Sequence, residues 1–497
     1  MATPIPTNRA RLSLLEVALA THGTIARRGS SWTEPAVGVF SDSRAVVPGS
    51  VFVALRGATH DGHAFVPAAV RAGARIVVVE RDRDLEIPEE ASVVEVDDTL
   101  VAWGGLARAH LTKWRLEAVD GRVVAITGSA GKTTTKELTA ALLSEIAPTC
   151  FTAGNLNNRI GVPAVVFGLE ASHRFCVLEM GMSLPGELDA ITAFAQPDVA
   201  VVVNVGVAHA EGVGGREGVM REKGALYRAL GPHGIAVVNA DDAYVVRAAQ
   251  GTRARKSVTF GRGTSRDDAS TSAPPVPSPL YRLVDRRPER SGSRVRLLCA
   301  EREISVYLPI PGEAAAIDLA AAIAAQEAAS REVLSAEAIE RALGKVALQG
   351  RGTVRRLEGD IVVLDDTYNA NPASMRAALA TLGEIAGGRR RVAVLGEMKE
   401  LGALAREEHE ALGEAIADAG VALAIGCGGL VDLALDRAAA RGVEVVRAAS
   451  TAEAAAEAAV RVRHGDAVLV KGSRSVGAEK VVAALLSSHP EIAGSFA

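Results

Sequence analysis

Short apolar runs alternate with amphipathic stretches along most of the chain, most regularly in residues 116–348. There, runs rich in valine and isoleucine are separated by segments that have the period of a helix. Continuous apolar runs of this kind are typical of parallel strands that are covered on both faces. The predicted strands of this region are 123–126, 175–179, 199–205 and 235–239. The pattern therefore predicts a central α/β domain built on a parallel sheet.

Two further units of the same class flank the central region. Residues 1–115 have predicted helices at 11–21 and 64–72 and predicted strands at 50–55 and 74–79. In residues 349–497, helical stretches such as 406–419 alternate with predicted strands at 361–364, 391–395, 422–425, 444–446 and 467–470. This alternation indicates a doubly wound, Rossmann-like domain. A chain of 497 residues is long enough for about three domains, and we expect them at 1–115, 116–348 and 349–497.

One segment of the central domain breaks the pattern. Between residues 261 and 294 the composition shifts to serine, proline, aspartate and arginine. Such a composition is too polar and too rich in proline to pack into a core. It predicts a mobile surface insertion in residues 262–293.

Composition and charge exclude several classes of protein. The net charge of −4 and the lack of a long basic block argue against a nucleic-acid-binding protein. The four cysteines are scattered without a C-x-x-C pair, which fits a reducing compartment and neither a disulfide framework nor a zinc site. The longest apolar stretch, 199–208, is too short to span a membrane, and the apolar face of 12–20 is interrupted by Glu16. We expect a cytoplasmic protein without a signal peptide or a membrane span.

The most informative stretch is VVAITGSAGKTTTKEL, residues 123–138. It reads as a strand, a glycine turn and the start of a helix, which together form a cradle for phosphate. Lys132 can reach terminal phosphates and the Thr133 hydroxyl can bind Mg²⁺. The stretch is a variant P-loop, because Ile126 stands where the general pattern has a glycine. The residues expected to line the bound nucleotide here are Gly128, Ser129, Ala130, Gly131, Lys132, Thr133 and Thr134. An ordinary glycine turn before a helix is the alternative, but the context favours binding of a nucleoside triphosphate.

Polar residues close several predicted strands, and ligands of open α/β sheets bind at the carboxyl ends of strands. Glu179 ends one strand where a carboxylate could join Thr133 on a metal ion. His209 follows the 199–205 run. Taken alone, Glu179 could equally cap a helix or form a salt bridge, and a lone histidine is more often structural. In the first domain, polar clusters at loop ends could hold a phosphorylated ligand or could simply be turns. These clusters lie at 42–44, 56–57 and 61–63.

Taken together, these motifs resemble the Mur ligase family, ATP-dependent amide-forming enzymes of peptidoglycan precursor assembly. The resemblance extends over nearly the whole chain and all three domains. The segments that carry it are TGSAGKTTTKE (127–137), GNLNNRIGVP (154–163), LEMGM (178–182), DDTYNANPASM (365–375), VLGEMKELG (394–402) and KGSRSVGAEKVV (471–482). A DSR motif at 42–44 and a G-x-x-x-D-G-H-x-F motif at 57–65 belong to the same pattern but are less specific.

The resemblance implies roles for residues of the central domain. Lys132 would hold the terminal phosphates of ATP, and Thr133 with Glu179 would bind a first Mg²⁺ ion. His209 would help to place a second Mg²⁺ ion. Lys223 matches a lysine that several members carry as a carbamate, an anion able to bind metal. The expected catalytic residues are thus Lys132, Lys223 and His209, and the expected metal ligands are Thr133, Glu179, His209 and Lys223.

It also implies contacts to the other substrates. Asn157 and Asn158 would face the acceptor substrate and the phosphates. Residues of the third domain would reach ATP when that domain closes, namely Arg351, Asp366, Tyr368 and Asn369. Residues of the first domain would hold a uridine diphosphate group, namely Ser43, Arg44 and His63. One segment departs from the family pattern: Ala314 and Ala315 replace a histidine-asparagine pair, and Asp318 stands where many members have a further asparagine.

The activity implied is the joining of D-alanyl-D-alanine to UDP-N-acetylmuramoyl-tripeptide through an acyl phosphate, by a monomer that uses ATP and two Mg²⁺ ions. Three alternatives remain from the residues themselves. A folylpolyglutamate-type or cyanophycin-type ligase would share the P-loop and the closing domain. A P-loop switch or motor would hydrolyse nucleotide without an acceptor. A scaffold that only binds UDP-sugars would need neither Lys132 nor Glu179.

Overall fold

The computed structural model describes residues 8–57, 60–206, 210–263, 278–289 and 291–492. The described residues form three large sheets and one two-stranded sheet, in which β1 pairs with β3. The first large sheet has five strands in the order β2-β7-β6-β5-β4, all parallel except β2. The elements of this part are β1 (Arg11–Leu12), α1 (Leu14–Thr21), β2 (Thr24–Arg27), β3 (Ala36–Val37), β4 (Val39–Phe40), β5 (Val51–Val53), α2 (Val66–Arg71), β6 (Ile76–Glu80), β7 (Ser92–Val96) and α3 (Thr99–Glu117).

The central sheet has nine strands in the order β16-β15-β14-β13-β12-β11-β8-β10-β9. Strands β8 to β13 are parallel to one another, and β14 is parallel to β13. Strands β15 and β16 then continue the sheet in antiparallel pairing from β14. The elements of this part are β8 (Arg122–Thr127), α4 (Lys132–Ser144), β9 (Thr149–Phe151), α5 (Gly161–Val166), β10 (Phe175–Glu179), α6 (Glu187–Ala195), β11 (Val199–Val202), α7 (Ala210–Val213), α8 (Gly215–Lys223), α9 (Ala225–Arg228), β12 (Ile235–Asn239), α10 (Ala243–Ala249), β13 (Lys256–Gly261), β14 (Tyr281–Glu289), β15 (Gly292–Cys299), β16 (Arg302–Leu308), α11 (Glu313–Ser330) and α12 (Ala336–Leu343).

The third sheet has six strands in the order β17-β18-β22-β19-β20-β21, all parallel except β17. The elements of this part are β17 (Thr353–Leu357), β18 (Ile361–Asp366), α13 (Pro372–Ala386), β19 (Arg390–Leu395), α14 (Ala405–Asp418), β20 (Leu423–Gly426), α15 (Val431–Ala440), β21 (Glu444–Arg447), α16 (Thr451–Arg461), β22 (Asp466–Lys471) and α17 (Glu479–Ser488). The predicted fold class, α/β in three domains, is confirmed. No helix of the described part is long and apolar enough to cross a membrane.

The prediction of a mobile insertion at 262–293 is wrong for its second half. Residues Tyr281–Glu289 form β14, which pairs with β13 on one side and β15 on the other. Tyr281 and Leu283 alternate with more exposed residues and are 6% and 4% exposed. The rest of the strand, which includes the arginines and the proline, is half-buried or exposed, so composition alone concealed a strand whose first apolar residues are buried. Residues 264–277 lie outside the described residues.

The central sheet fixes where chemistry can occur. Strands β8, β10 and β11 lie side by side in its middle, in parallel register, so their carboxyl ends meet at one edge. Strand β11 ends at Val202, three residues before the predicted end. The chain is then in an irregular conformation at Asn204, which places a polar side chain at this edge instead of inside the sheet.

Candidate active site

The predicted P-loop connects β8 to α4 as a strand, a glycine turn and a helix. Gly131 is the N-cap of α4 and has φ = +76°, a conformation that residues with a side chain rarely adopt. A Cβ atom on Gly131 would lie 2.5 Å from Oδ1 of Asp318, so this position has neither the backbone conformation nor the space for another residue. The first N–H groups of α4 therefore point out of a narrow turn and are available to an anion.

An asparagine that the sequence reasoning missed holds this turn in place. Oδ1 of Asn204 accepts a hydrogen bond from the N–H of Ala130 (2.9 Å), and its Nδ2 donates to the carbonyl of Ala130 (3.0 Å). The N–H of Ser129 donates to the carbonyl of Asn204 (3.2 Å), and the Ser129 hydroxyl accepts from the N–H of Gly206 (2.8 Å). The sequence contained a signal for this role, because Asn204 is a polar residue within an otherwise apolar run. The role predicted after this strand was assigned to His209 instead.

Glu179 ends β10 next to the turn, where it is 1% exposed. The Thr133 hydroxyl donates to one carboxylate oxygen (2.7 Å) and Nδ2 of Asn157 donates to the other (2.8 Å). The N–H of Glu179 donates to the hydroxyl of Thr152 (3.0 Å), which fixes the end of the strand. Among the described residues, Glu179 has no salt-bridge partner and caps no helix. Its carboxylate and the Thr133 hydroxyl are paired oxygen donors of the kind that Mg²⁺ prefers.

The two adjacent asparagines have different surroundings. Asn157 faces Glu179, as described above. Oδ1 of Asn158 accepts hydrogen bonds from the N–H groups of Ile160 (3.1 Å) and Gly161 (2.8 Å) at the start of α5. Asn158 therefore stabilises the beginning of a helix with its carbonyl oxygen, and its contact with the acceptor substrate stays a prediction.

Two lysines converge on the same edge of the sheet. Burial lowers the pKa of Lys132, and Arg351 acts in the same direction, whereas Glu179 and Glu400 oppose it. Lys223, at the end of α8, is 2% exposed. Burial and the charge of Lys132 lower the pKa of Lys223 to about 7. A large part of the Lys223 side chains therefore carry an uncharged amine at neutral pH.

The third domain faces this edge across a cavity of ≈ 640 Å³. Thr133 lines it from one side and Arg351, Tyr368 and Arg474 from the other. The guanidinium of Arg351 lies 3.7 Å from the ring centroid of Tyr368, and that of Arg474 lies 5.4 Å from it. The cavity has the size of a small-ligand site and is lined by cations and an aromatic ring.

Two other third-domain residues that were predicted to contact the nucleotide, Asp366 and Asn369, bond to residues of their own domain. The carboxylate of Asp366 pairs with the ammonium of Lys471, which is 2% exposed and also donates to the carbonyl of Asn369 (2.9 Å). Oδ1 of Asn369 accepts from the N–H of Ala370 (2.9 Å). Their contacts with a nucleotide stay predictions, whereas Arg351 and Tyr368 border the cavity.

Glu400 is a residue of this edge to which the sequence reasoning gave no role. It has φ = +64°, an uncommon conformation that is found more often at functional sites. Its carboxylate acts on the charge of Lys132 from the opposite domain. The same loop is held by His409, whose Nε2 accepts from the N–H of Met398 (3.1 Å). Its place inside the VLGEMKELG segment (394–402) was the only sequence signal.

The residues predicted for a uridine diphosphate group lie far from this edge in sequence, in the first domain. Arg44 is exposed and its guanidinium pairs with Asp42 (2.6 Å), and Ser43 between them is half-buried. The ring of His63 is 3% exposed. Its Nδ1 bonds to Asp61 (2.6 Å) and its Nε2 accepts from the N–H of Glu80 (2.9 Å), so both ring nitrogens have partners inside the domain.

The prediction for His209 falls outside the described residues. Within the described ranges, no group of three or more histidine, cysteine, aspartate or glutamate side chains could by itself hold a metal ion. A site formed by Thr133, Glu179 and phosphate oxygens needs no such group, because Mg²⁺ usually keeps several waters and binds one or two carboxylates.

The chain matches family models over all three domains. Residues 36–110 match "Mur ligase family, catalytic domain", residues 126–326 match "Mur ligase middle domain" and residues 350–474 match "Mur ligase, glutamate ligase domain". The UDP-N-acetylmuramoyl-tripeptide–D-alanyl-D-alanine ligase of Escherichia coli is 35% identical over 449 residues, which cover 90% of this chain and 93% of that protein. The enzyme of the same name from Mycobacterium leprae is 35% identical over 88% of this chain and 90% of its own length.

Solved structures of proteins named MurF are also similar to this chain over most of its length. A crystal structure of MurF from Acinetobacter baumannii superposes with a TM-score of 0.82 at 30% identity and covers 97% of this chain and 100% of its own. The MurF ligase of Thermotoga maritima, solved in complex with ADP, superposes with a TM-score of 0.76 at 27% identity and covers 90% of this chain and 97% of its own.

Proposed function

The chain belongs to the Mur ligase family, and from that premise we propose that it is an ATP-dependent ligase that joins D-alanyl-D-alanine to UDP-N-acetylmuramoyl-tripeptide. This is the activity named for the relatives that resemble it over most of their length. The observation that carries the proposal is the convergence of Lys132, Glu179, Lys223 and Arg351 around one phosphate-binding turn. A scaffold that only binds UDP-sugars would need none of these four residues.

The chemistry begins with the carboxylate of the tripeptide, which does not react with an amine directly because its oxygen is a poor leaving group. Transfer of the terminal phosphoryl group of ATP to that oxygen forms an acyl phosphate and releases ADP. The ammonium of Lys132 reaches the transferring phosphoryl group and stabilises its negative charge, and the N–H groups at the start of α4 hold the phosphates. Attack by the amine of D-alanyl-D-alanine then forms the amide and releases phosphate.

The residues at the edge of the sheet fit a bound Mg²⁺ ion. Thr133 and Glu179 would hold it, since their oxygens are already adjacent and buried. When bound, such an ion neutralises charge on the phosphates. Asn157 keeps the Glu179 carboxylate in orientation by its hydrogen bond, and Thr152 fixes the backbone beneath it.

Lys223 is the residue that we expect to be carbamylated. Its uncharged amine can attack CO₂ to form a carbamate with loss of one proton, and the pKa near 7 makes that amine available at neutral pH. The product is an anion close to the Lys132 ammonium, so an ion pair replaces an arrangement in which a charge on Lys223 would be repelled by Lys132. A carbamate would also supply metal-binding oxygens, which an ammonium cannot.

Closure of the third domain completes the site. Arg351 and Tyr368 border the cavity beside Thr133 and would contact the nucleotide. A closed cavity also excludes water, which would otherwise hydrolyse the acyl phosphate. The four cysteines are free thiols, which supports a reducing, cytoplasmic setting for the reaction. A monomeric state and the absence of nucleic-acid partners stay predictions.

The decisive experiment measures phosphate release from ATP in four mixtures: with both substrates, with each alone and with neither. The proposal requires release only when UDP-N-acetylmuramoyl-tripeptide and D-alanyl-D-alanine are both present, together with formation of the pentapeptide product. Glutamate in place of D-alanyl-D-alanine tests for a folylpolyglutamate-type or cyanophycin-type activity. Release with neither substrate would instead indicate a P-loop switch.

Lys132→Ala is the matched inactive control. It should lose at least ~3 kcal/mol of transition-state stabilisation, because it removes one charge that stabilises the transferring phosphoryl group. Near-normal turnover by this variant would contradict the assignment of the P-loop.

A further inference from the structure

One side chain of the third domain bonds directly to the backbone of the phosphate-binding turn. Nδ2 of Asn371 donates to the carbonyl oxygen of Ser129 (3.1 Å), and this part of the chain is partly buried. Asn371 lies at the start of α13, beyond the residues predicted to reach the nucleotide. The contact therefore joins two domains at the loop that holds phosphate.

The carbonyl of Ser129 and the N–H of Ala130 belong to the same peptide unit, which is planar. That N–H donates to Oδ1 of Asn204 (2.9 Å), as described above. Two asparagines thus hold the two ends of one peptide plane: Asn204 from the central domain and Asn371 from the third domain. The next residue is Gly131, whose positive φ turns the chain into α4. The orientation of this peptide plane therefore sets the direction in which the following N–H groups point.

The amide of Asn371 is itself held firmly. It is the N-cap of α13, where its Oδ1 accepts from the N–H of Ser374 (2.9 Å). In return, the hydroxyl of Ser374 accepts from the N–H of Asn371 (3.0 Å), which completes a capping box. Because Oδ1 is engaged in the cap, Nδ2 is directed away from α13 and towards the central domain. The donor reaches Ser129 only when the third domain is docked.

We propose that Asn371 is a positioning residue that makes the geometry of the phosphate-binding turn depend on docking of the third domain. This inference rests on the proposed phosphoryl transfer. With the third domain docked, both ends of the peptide plane between Ser129 and Ala130 are fixed and the phosphates are aligned for transfer. With it undocked, only Asn204 holds the plane, so ATP is bound without productive alignment. Such a device limits phosphoryl transfer to the closed enzyme, from which water is excluded.

The alternative is that Asn371 contributes only to docking, like any hydrogen bond at a domain interface. The same interface offers a comparison. Arg286 of β14 is bidentate to Glu384 of α13, with one bond of 2.9 Å. Glu384 lies 13 residues along α13 from Asn371, roughly 20 Å away by the rise of a helix. This pair fastens the domains far from the phosphate-binding turn, so its loss changes docking alone.

The test compares Asn371→Ser and Asn371→Asp with Glu384→Gln in steady-state turnover of the full chain. Serine and aspartate both serve as N-caps, so α13 keeps its start. An ionised aspartate has no donor for the Ser129 carbonyl, and the serine hydroxyl lies on a side chain one bond shorter than the one that places Nδ2 there. Both variants should lose about 10- to 100-fold in kcat, a size typical of small misplacements of reacting groups, while the KM for ATP changes less than about threefold. Glu384→Gln weakens docking, but saturating ATP shifts the population back to the docked state, where Asn371 is intact. This variant should therefore raise the KM for ATP and keep kcat at saturating ATP within about threefold of the wild type.

Thermal unfolding of all variants checks that the cap survives, and agreement of the midpoints with the wild type is expected. The inference is overturned if kcat of both Asn371 variants stays within about twofold of the wild type, or if Glu384→Gln gives the same kcat loss. The wild-type reaction in the same assay reports on the proposed function. Absence of ligase activity in the wild type would contradict the proposed function. A loss of kcat confined to the Asn371 variants would instead support the positioning role of Asn371.

Discussion

At the scale of single residues, burial changes the pKa values of two ionisable side chains near this site. Lys223 and Asp318 both lie near the phosphate-binding turn, and each is largely removed from water. Burial favours the uncharged form of both, so it lowers the pKa of Lys223 to about 7 and raises the pKa of Asp318 to about 8. The charges of these two residues therefore change near neutral pH, where those of an exposed lysine and an exposed aspartate do not.

The carbamate at Lys223 can be tested by chemical rescue. Lys223→Ala should lower turnover by about 100-fold or more, because it removes an anion and metal ligand from the site. Added acetate or propionate should restore part of the activity by occupying the space with a carboxylate. Lys132→Ala is the control, since it lacks a cation and carboxylates should not restore it. A Lys223 variant with normal activity, or one that carboxylates never restore, would count against carbamylation.

Asp318 should make the stability of the protein depend on pH. Its hydroxyl neighbour Thr135 lowers its pKa only partly, and burial dominates. The unfolded chain releases this proton near its ordinary pKa of 3.8, whereas the folded chain keeps it up to about 8. The folded state therefore binds the extra proton between these values. The contribution of Asp318 to stability falls progressively as the pH rises from about 3.8 to about 8, and it falls no further above that pH.

Asp318→Asn removes this loss and should stabilise the protein by about 1 kcal/mol or more at pH 8.5, with a much smaller difference near pH 5. Urea unfolding at the two pH values measures it. Asp97→Asn is a suitable control, because the Asp97 side chain is 85% exposed and makes the same change in charge. Equal effects of the two substitutions at pH 8.5 would contradict a buried, protonated Asp318.

At the scale of elements, the site depends on how a helix begins. Helix α4 starts at a glycine with positive φ that also contacts Asp318, whereas α6 starts at Gly186, which has φ = +80° but no atom within 4 Å of an added Cβ. The two helix starts share their backbone conformation and differ in the space around them. Comparing alanine substitutions at the two glycines therefore distinguishes the cost of backbone strain from the cost of a steric contact.

Gly131→Ala should introduce both backbone strain and a steric contact with Asp318, whereas Gly186→Ala should introduce backbone strain alone. A left-handed conformation costs an alanine about 1–2 kcal/mol, so Gly186→Ala should lower the free energy of unfolding by about that amount and leave the KM for ATP unchanged. Gly131→Ala should cost more and should also raise that KM, because the turn must move away from Asp318. Equal losses of stability with an unchanged KM in both variants would show that the turn accommodates a side chain.

At the scale of the whole molecule, catalysis requires two domains to meet. The Arg286 side chain is 10% exposed and lies between β14 and α13, where it pairs with Glu384. Loss of one partner would leave the other charge buried and unpaired in the docked arrangement, which is costly, so the docked arrangement depends on both residues. The pair involves β14, the strand that the sequence analysis took for a surface insertion.

Charge reversal tests this role. Arg286→Glu and Glu384→Arg should each weaken docking and raise the KM for ATP and for D-alanyl-D-alanine, because each places like charges together. The double variant restores an opposite pair and should recover part of the loss, with a coupling of about 1–3 kcal/mol in a double-mutant cycle. Additive losses in the double variant would show that the two side chains do not interact in solution.

The local sequence determined the parts of the protein that depend on neighbours in the chain. The strand, glycine turn and helix around Lys132 follow from apolar runs, a glycine and helix-forming residues within 16 positions. Glu179 was identifiable because it ends a buried strand, and parallel strands end at a common edge. The three α/β units follow from the same periodicity. Family membership followed from six motifs, since their residues occur in fixed local order.

The tertiary structure alone decided which residues meet across the chain. The contacts of Asn204 with Ala130, Asn371 with Ser129 and Arg286 with Glu384 join residues separated by 74, 242 and 98 positions. No local pattern encodes them, because each depends on how whole domains pack. Lys223 and Asp318 illustrate the same limit: their residue types were visible in the sequence, but their pKa values depend on burial. Burial is a property of the folded chain as a whole, and it decides the charge at this site.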